Sequence, residues 1–296
     1  MELDIMNKSI GHIIALLVII VWGTTFVSSK VLLNHGMMPA DIFAIRFFLA
    51  YILISCISHN RLWADNMRDE LSMVGLGVMG GTLYFLTENY ALLYGNTSNV
   101  AILVCSTPIL TALIVGIFYH QERLNTRQWL GTLIAFVGMA MVVFNGEFIL
   151  RLNPLGDILA IGASLTWAIY SLLMRIVMNR YSIEFVTRKV FAYGFLGILP
   201  VIAFESNPAM SHPESLVSSP IVILNLLFLA IVASSGCFLL WNWALKKIGT
   251  VRATNYIYLQ SIVTMIAAWA ILDERITWMA ILGTGVLIAG MVLVQK

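Results

Sequence analysis

Apolar residues in this chain come in long runs broken by short polar groups, and within runs such as 13–21 and 281–294 polarity does not alternate. A membrane β-strand needs that alternation, so the runs predict helices. A hydrocarbon core about 30 Å thick is crossed by about 20 apolar helical residues. Ten stretches meet that length, near 11–33, 40–58, 71–93, 98–119, 127–145, 156–178, 185–204, 220–244, 252–271 and 277–294. The weakest is the seventh, which has Arg188 and Lys189 in its first turns. The predicted fold is an all-α integral membrane protein with ten transmembrane helices.

The pattern is also written twice. Trp22 to Lys30 is answered, at the same spacing, by Trp167 to Arg175. Asn89-Tyr90-Ala91-Leu92 is answered by Asn242-Trp243-Ala244-Leu245. Glu122-Arg123 ahead of Leu130-Gly131 returns as Glu274-Arg275 ahead of Leu282-Gly283. The breakers Asn145-Gly146, Asn153-Pro154 and Gly156 mark the join, which divides the chain into 1–148 and 149–296. Each half holds five helices, so the second enters the membrane from the opposite face and the repeats are inverted.

Composition fits lipid as the main solvent: 60% of residues are hydrophobic, 11% are charged and the mean hydropathy is +0.90. The net charge of +2 points to no partner, and no nucleic-acid partner is expected. The placement of charge is more telling. With ten crossings, Arg61, Arg68, Arg123, Arg127, Lys246, Lys247 and Arg252 share one side with both termini, while Arg151 and Arg275 stand opposite. The positive-inside rule then makes both termini cytoplasmic. Cys56, Cys105 and Cys237 lie in predicted spans without CxxC spacing, which supports neither a disulfide framework nor a zinc site. The first span carries no cleavage pattern and is expected to remain as a helix. The loop 205–219 is expected to be a surface connection.

Several of these residues carry a family resemblance. Trp22-Gly23-Thr24-Thr25-Phe26 through Lys30, Phe43-Ala44-Ile45-Arg46-Phe47, and the stretch from Ala101 through Pro108 to Glu122-Arg123-Leu124 and Trp129-Leu130-Gly131 resemble a drug/metabolite transporter of the EamA type. The resemblance covers both halves. It implies a ten-helix transporter of a bacterial inner membrane that often exports amino acids or related metabolites. Where such proteins often have proline after Leu-Gln in the second repeat, this chain has Ser261.

Ionisable groups within spans are expensive in lipid and face protein or water. Lys30, Arg46 and Glu88 fall at similar depth in the outer third of the first half. They are a structural ion pair tying three helices, a site in which Glu88 carries a substrate's positive charge or a coupled proton, or side chains that snorkel to the lipid headgroups. Burial and a nearby Lys30 or Arg46 act on that proton in opposite senses. In the register that matches Asn89 to Asn242, Tyr84 matches Cys237 and Glu88 matches Trp241, so the second half lacks the acid. Trp22 and Trp167 sit nearer mid-span than interfacial residues do. With Tyr84, Tyr170, Trp241 and Tyr258 they predict an aromatic cleft suited to an apolar or aromatic amino acid or an organic cation. Asn99, Thr254, Asn255, Gln260 and Ser261 add neutral polar groups that serve as lining or as packing contacts.

The expected substrate contacts are thus Trp22, Tyr84, Glu88, Asn99, Trp167, Tyr170, Trp241, Asn255 and Tyr258. Glu88, Lys30 and Arg46 are the coupling or ion-pair candidates. Glu122 and Glu274 are read as helix-end residues, with Thr126 and Thr277 as N-caps. Pro108 is expected to kink the middle of the fourth helix by freeing the carbonyl of Val104. The fifth and tenth helices are expected to be scaffold, packed through Gly131/Ala135 and Gly285/Ala289.

No HExxH, GxSxG or GxxxxGK[ST] pattern occurs, so no enzyme activity, cofactor or metal is expected. Without an ATP-binding loop the reading is a secondary active transporter that exports amino acids or similar small metabolites by alternating access. Its partners would be a small-molecule substrate, the lipid bilayer and a coupled proton or other ion, with the chain acting as monomer or homodimer. The alternatives are a proton-coupled multidrug or organic-cation exporter and a lipid scramblase or flippase.

Overall fold

The computed structural model describes residues 2–58, 61–94, 100, 103–119, 124–144, 153–204, 219–272 and 276–295. They form helices, with no strand among the described residues. In chain order these are α1 (Glu2–Asn34), α2 (Pro39–Ile57), α3 (Met67–Tyr94), α4 (Thr107–Phe118), α5 (Thr126–Phe144) and α6 (Pro154–Val177). There follow α7 (Ile183–Phe204), α8 (Pro220–Ile248), α9 (250–272) and α10 (Trp278–Gln295). Among the described residues, seven helices are long and apolar enough to cross a membrane, namely α1 to α3 and α5 to α8. Their outward faces carry exposed Leu17, Val137, Leu196 and Leu224. Such a surface belongs in lipid, and the chain is a multi-pass membrane protein.

Local chemistry sets the helix ends. Gly36 (φ +88°) closes α1: its N–H bonds Leu33 O at 3.0 Å, and the Met37 N–H bonds Leu32 O at 3.2 Å. Asn66 and Asn153 accept the N–H groups of Asp69 (2.8 Å) and Gly156 (3.3 Å), starting α3 and α6. Arg188 and Lys189, which made the seventh span the weakest expectation, lie inside α7 and are buried with partners described below.

Three helices are irregular. α3 is π-helical over Val78–Leu83 and α8 over Phe228–Gly236. Each stretch ends six residues before the repeated asparagine (89 − 83 and 242 − 236). α9 passes through a 3₁₀ turn at Asn255–Tyr258. π-helical stretches leave backbone groups free for other partners and are frequent at functional sites.

Pro108 corrects an expectation. It stands in the first turn of α4, after a turn at Cys105–Ser106, so the rod breaks where a mid-helix kink was expected. Proline is favoured there because its missing N–H is one a helix start does not need. Hydroxyls bond the carbonyls at the break, of which Leu103 O also accepts the Ser106 N–H at 3.1 Å. Ser164 Oγ of α6 donates to Leu103 O (2.7 Å) and Val104 O (3.0 Å), and Thr107 Oγ1 donates to Val104 O (2.7 Å). Ser164→Ala should therefore cost about 0.5–1.5 kcal/mol, one net hydrogen bond, read as a lower unfolding midpoint in detergent.

α1 packs on α8 and α6 on α3, while α2 lies on the π-helical part of α8 and α7 on that of α3. α5 and α10 pack on each other through glycines. A Cβ on Gly138 would meet Leu287 N at 2.3 Å and Gly283 O at 2.7 Å; one on Gly290 would meet Ala135 N at 2.3 Å and Gly131 O at 2.6 Å. Gly131 and Ala135 thus pack as expected, but Gly285 and Ala289 do not. Gly285 has nothing within 4 Å, because the face turned to α5 is the seven-residue row Gly283/Gly290. Glu122, Arg123, Glu274, Arg275 and most of the loop 205–219 lie outside the described residues.

Candidate functional site

A cavity lies between helices of both halves. α1 contributes Trp22 and Thr25, α2 Arg46, and α3 Tyr84, Phe85 and Glu88. The start of α4 contributes Val104 and Thr107, α6 Trp167, α8 Phe238, and α9 Ile257 and Gln260.

The walls are aromatic. The Trp22 ring meets Trp167 at 5.5 Å and Phe238 at 5.7 Å between centroids, and Tyr84 meets Trp167 at 4.8 Å. Edge and tilted contacts of this kind fix ring orientation. Trp22 Nε1 donates to Ala233 O at 3.0 Å, within the π-helical part of α8, so the irregular helix holds the indole in place.

Two opposite charges share the space. Glu88 is 7% exposed and accepts a hydrogen bond on Oε1 from Tyr84 Oη at 2.8 Å. Arg46 is 5% exposed; its Nε donates to Ser234 Oγ at 2.9 Å and its guanidinium lies 4.5 Å from the Phe85 ring centroid. No nitrogen of Arg46 comes within 4.0 Å of a Glu88 oxygen, so these two are not in ion-pair contact.

Toward the end where α2 stops and α7 begins, the cavity is shut. Phe47 packs on Phe191 at 5.0 Å and Phe191 on Phe238 at 5.4 Å. Tyr170 Oη donates to Asn242 Oδ1 (2.7 Å), and Asn242 Nδ2 donates to Thr187 Oγ1 (3.0 Å), joining α6, α8 and α7. Further on, the two halves are tied by ions. Asp69 accepts from Arg180 Nη1 (2.9 Å), Tyr181 Oη (2.8 Å) and Asn66 Nδ2 (2.9 Å). Glu70 accepts from Lys189 Nζ, Tyr193 Oη and the Ala64 N–H, and Arg188 donates to the carbonyls of Ser58 and Arg61.

Of the expected contacts, Trp22, Tyr84, Glu88 and Trp167 line the cavity, as do Arg46 and Gln260. Tyr170 is turned into the Asn242 bond, and Trp241, fully buried, lies against Trp22 at 5.1 Å. Asn255 bonds back to Val251 O at 2.8 Å and Tyr258 is fully buried, so both stand behind the lining. Asn99 and the side chain of Lys30 lie outside the described residues. Phe85 and Phe238 were passed over, although each stands four residues before its repeated asparagine (89 − 85 and 242 − 238).

Comparison with known proteins gives the same picture. A probable amino-acid metabolite efflux pump of Escherichia coli (strain K12) is 27% identical over 288 residues, covering 94% of this chain and 92% of that protein. A protein named an uncharacterized transporter from Archaeoglobus fulgidus is 27% identical and covers 95% and 96%. A probable terminal-alkyne amino-acid exporter of Streptantibioticus cattleyicolor is 23% identical over 95% of this chain and 91% of its own length. One solved crystal structure superposes with a TM-score of 0.75 over 96% of both chains at 17% identity, which speaks for the fold alone. The family pattern of the EamA-like transporters matches residues 9–144 and again 154–295, so both halves contribute to one conclusion: the chain belongs to the EamA-like transporter family.

Proposed function

We propose that this protein is a secondary transporter that exports amino acids or similar small metabolites by alternating access, one bundle rocking against the other around the cavity. The observation that carries this reading is a cavity shared by both halves and closed at one end by packed rings and ionic ties, of which the Lys189–Glu70 tie is buried. The names of the Escherichia coli and Streptantibioticus relatives support amino acids as the substrate class. Substrate drives the cycle only through different affinity for the two states.

The membrane arrangement we propose is ten crossings in two inverted halves, 1–148 and 149–296. Its main support is the seam between α5 and α10. Matching Gly131 to Gly283 and Gly138 to Gly290 exchanges the contact Gly138–Gly283 for Gly290–Gly131. The two helices run antiparallel there, as an axis in the membrane plane requires. The basic loops put both termini in the cytoplasm of a bacterial inner membrane, with the tied end inside and the cavity opening outward.

Counterflow in proteoliposomes with a panel of amino acids, sugars and organic cations tests the function. Preloaded amino acid should accelerate uptake of the labelled one. Glu88 among aromatic faces also suits a second reading, proton-coupled export of organic cations. That reading predicts cation efflux that stops when the pH gradient is collapsed, and amino acids without effect.

A further inference from the structure

Arg46 and Glu88 are both more than nine-tenths buried and both line the cavity, where they attract each other without a hydrogen bond or an ion-pair contact. Each is held by neutral tethers. Arg46 spends Nε on Ser234 and its face on Phe85, and its terminal guanidinium nitrogens meet no acceptor among the described residues. Glu88 spends Oε1 on Tyr84, and Oε2 meets no donor among them. A buried charge without a hydrogen-bonded counter-ion is unfavourable, and the unfavourable term is relieved when a ligand supplies one.

We propose that the cavity is built for a zwitterion. The Arg46 guanidinium takes the substrate's carboxylate, the Glu88 carboxylate takes its ammonium group, and Trp22, Trp167 and Phe238 receive its apolar or aromatic side chain. The proposal rests on the transport reading above and narrows it to α-amino acids with free amino and carboxyl groups. A guanidinium presents two parallel N–H donors that match a carboxylate, which a point charge does not. An organic cation would satisfy Glu88 and leave Arg46 unpaired and repelling it. An organic anion would do the reverse. A molecule carrying both signs on neighbouring atoms compensates both residues at once, while Ser234 and Tyr84 hold one atom of each residue.

The test uses the full chain in proteoliposomes, with L-phenylalanine and L-leucine as counterflow substrates. Phenethylamine, which lacks the carboxylate, and 3-phenylpropanoate, which lacks the ammonium group, serve as competitors. Each analogue should compete at least about tenfold less well than phenylalanine, the loss expected for one charge-assisted hydrogen bond. Arg46→Gln should raise the half-saturating phenylalanine concentration roughly tenfold to a hundredfold while strengthening competition by phenethylamine, which Arg46 no longer repels. Glu88→Gln should raise it likewise while strengthening competition by 3-phenylpropanoate. Arg46→Lys keeps the charge without the fork and should fall between. If Arg46→Gln does not fold, Arg46→Lys and the analogue competition on the unaltered chain decide. Phenethylamine competing as well as phenylalanine, or unchanged half-saturation in either glutamine variant, overturns the two anchors while amino-acid transport stands. Absence of counterflow with every amino acid overturns both the anchors and the transport reading.

Discussion

Glu70→Ala should lower the unfolding free energy by about 3–5 kcal/mol, the effect of stranding one member of a buried ion pair. The Lys189 and Glu70 side chains are only 8% and 11% exposed. Remove the carboxylate and the ammonium group keeps its place over the Trp63 ring, 4.5 Å from the centroid, with no counter-charge. Tyr193 Oη and the Ala64 N–H lose their acceptor at the same stroke. Much of the loss reflects Lys189 left alone, so Glu70→Gln combined with Lys189→Met should recover most of it. Thermal unfolding in detergent measures both variants. A single variant as stable as the parent would show that Glu70 does not hold the 61–66 segment to α7. Because the same tie closes one end of the cavity, the proposed cycle must break it on every turnover.

Helix positions were legible because lipid demands long apolar runs: the expectation 127–145 meets Thr126–Phe144, and 156–178 meets Pro154–Val177. The break before α4 was half legible. Pro108 announced a freed carbonyl, but only the fold could show that Ser164, sixty residues away in the chain (164 − 104 = 60), would occupy it. The site was legible where one helix decides: Tyr84 and Glu88 lie a helical turn apart and do face each other. It was not legible where two helices decide. Trp241 holds the position matching Glu88, yet Trp22, bonded to a carbonyl of a π-helical stretch, covers it. Regular α-helical periodicity gives no hint of that stretch. The repeat register did contain the missed pair, Phe85 and Phe238. Polar residues drew attention as carriers of chemistry, and a matched pair of phenylalanines reads as ordinary core.

The same substitution should have opposite signs at two glycines on one helix. Gly285→Ala should stabilise the protein by up to about 1 kcal/mol, since a Cβ there meets nothing and alanine is the better helix former. Gly290→Ala should destabilise it by about 1–3 kcal/mol, as overpacking does. Its Cβ would stand 2.3 Å from Ala135 N and 2.6 Å from Gly131 O, both backbone atoms, so no rotamer change relieves the clash and α10 must move off α5. Gly138→Ala should behave like Gly290→Ala, because Gly138 meets Leu287 N and Gly283 O in the matching place on the seam. The double variant should lose less than the sum of its parts, since the separation forced by the first alanine makes room for the second. Unfolding midpoints of the four variants give these signs directly. None of these glycines lines the cavity, so phenylalanine half-saturation should stay at the parent value in every variant that folds. A change there would mean that α5 and α10 shift with the bundles rather than bracing them. Two lowered midpoints with unaltered half-saturation would place the close seam in the scaffold, where the matched contacts of the two halves put it.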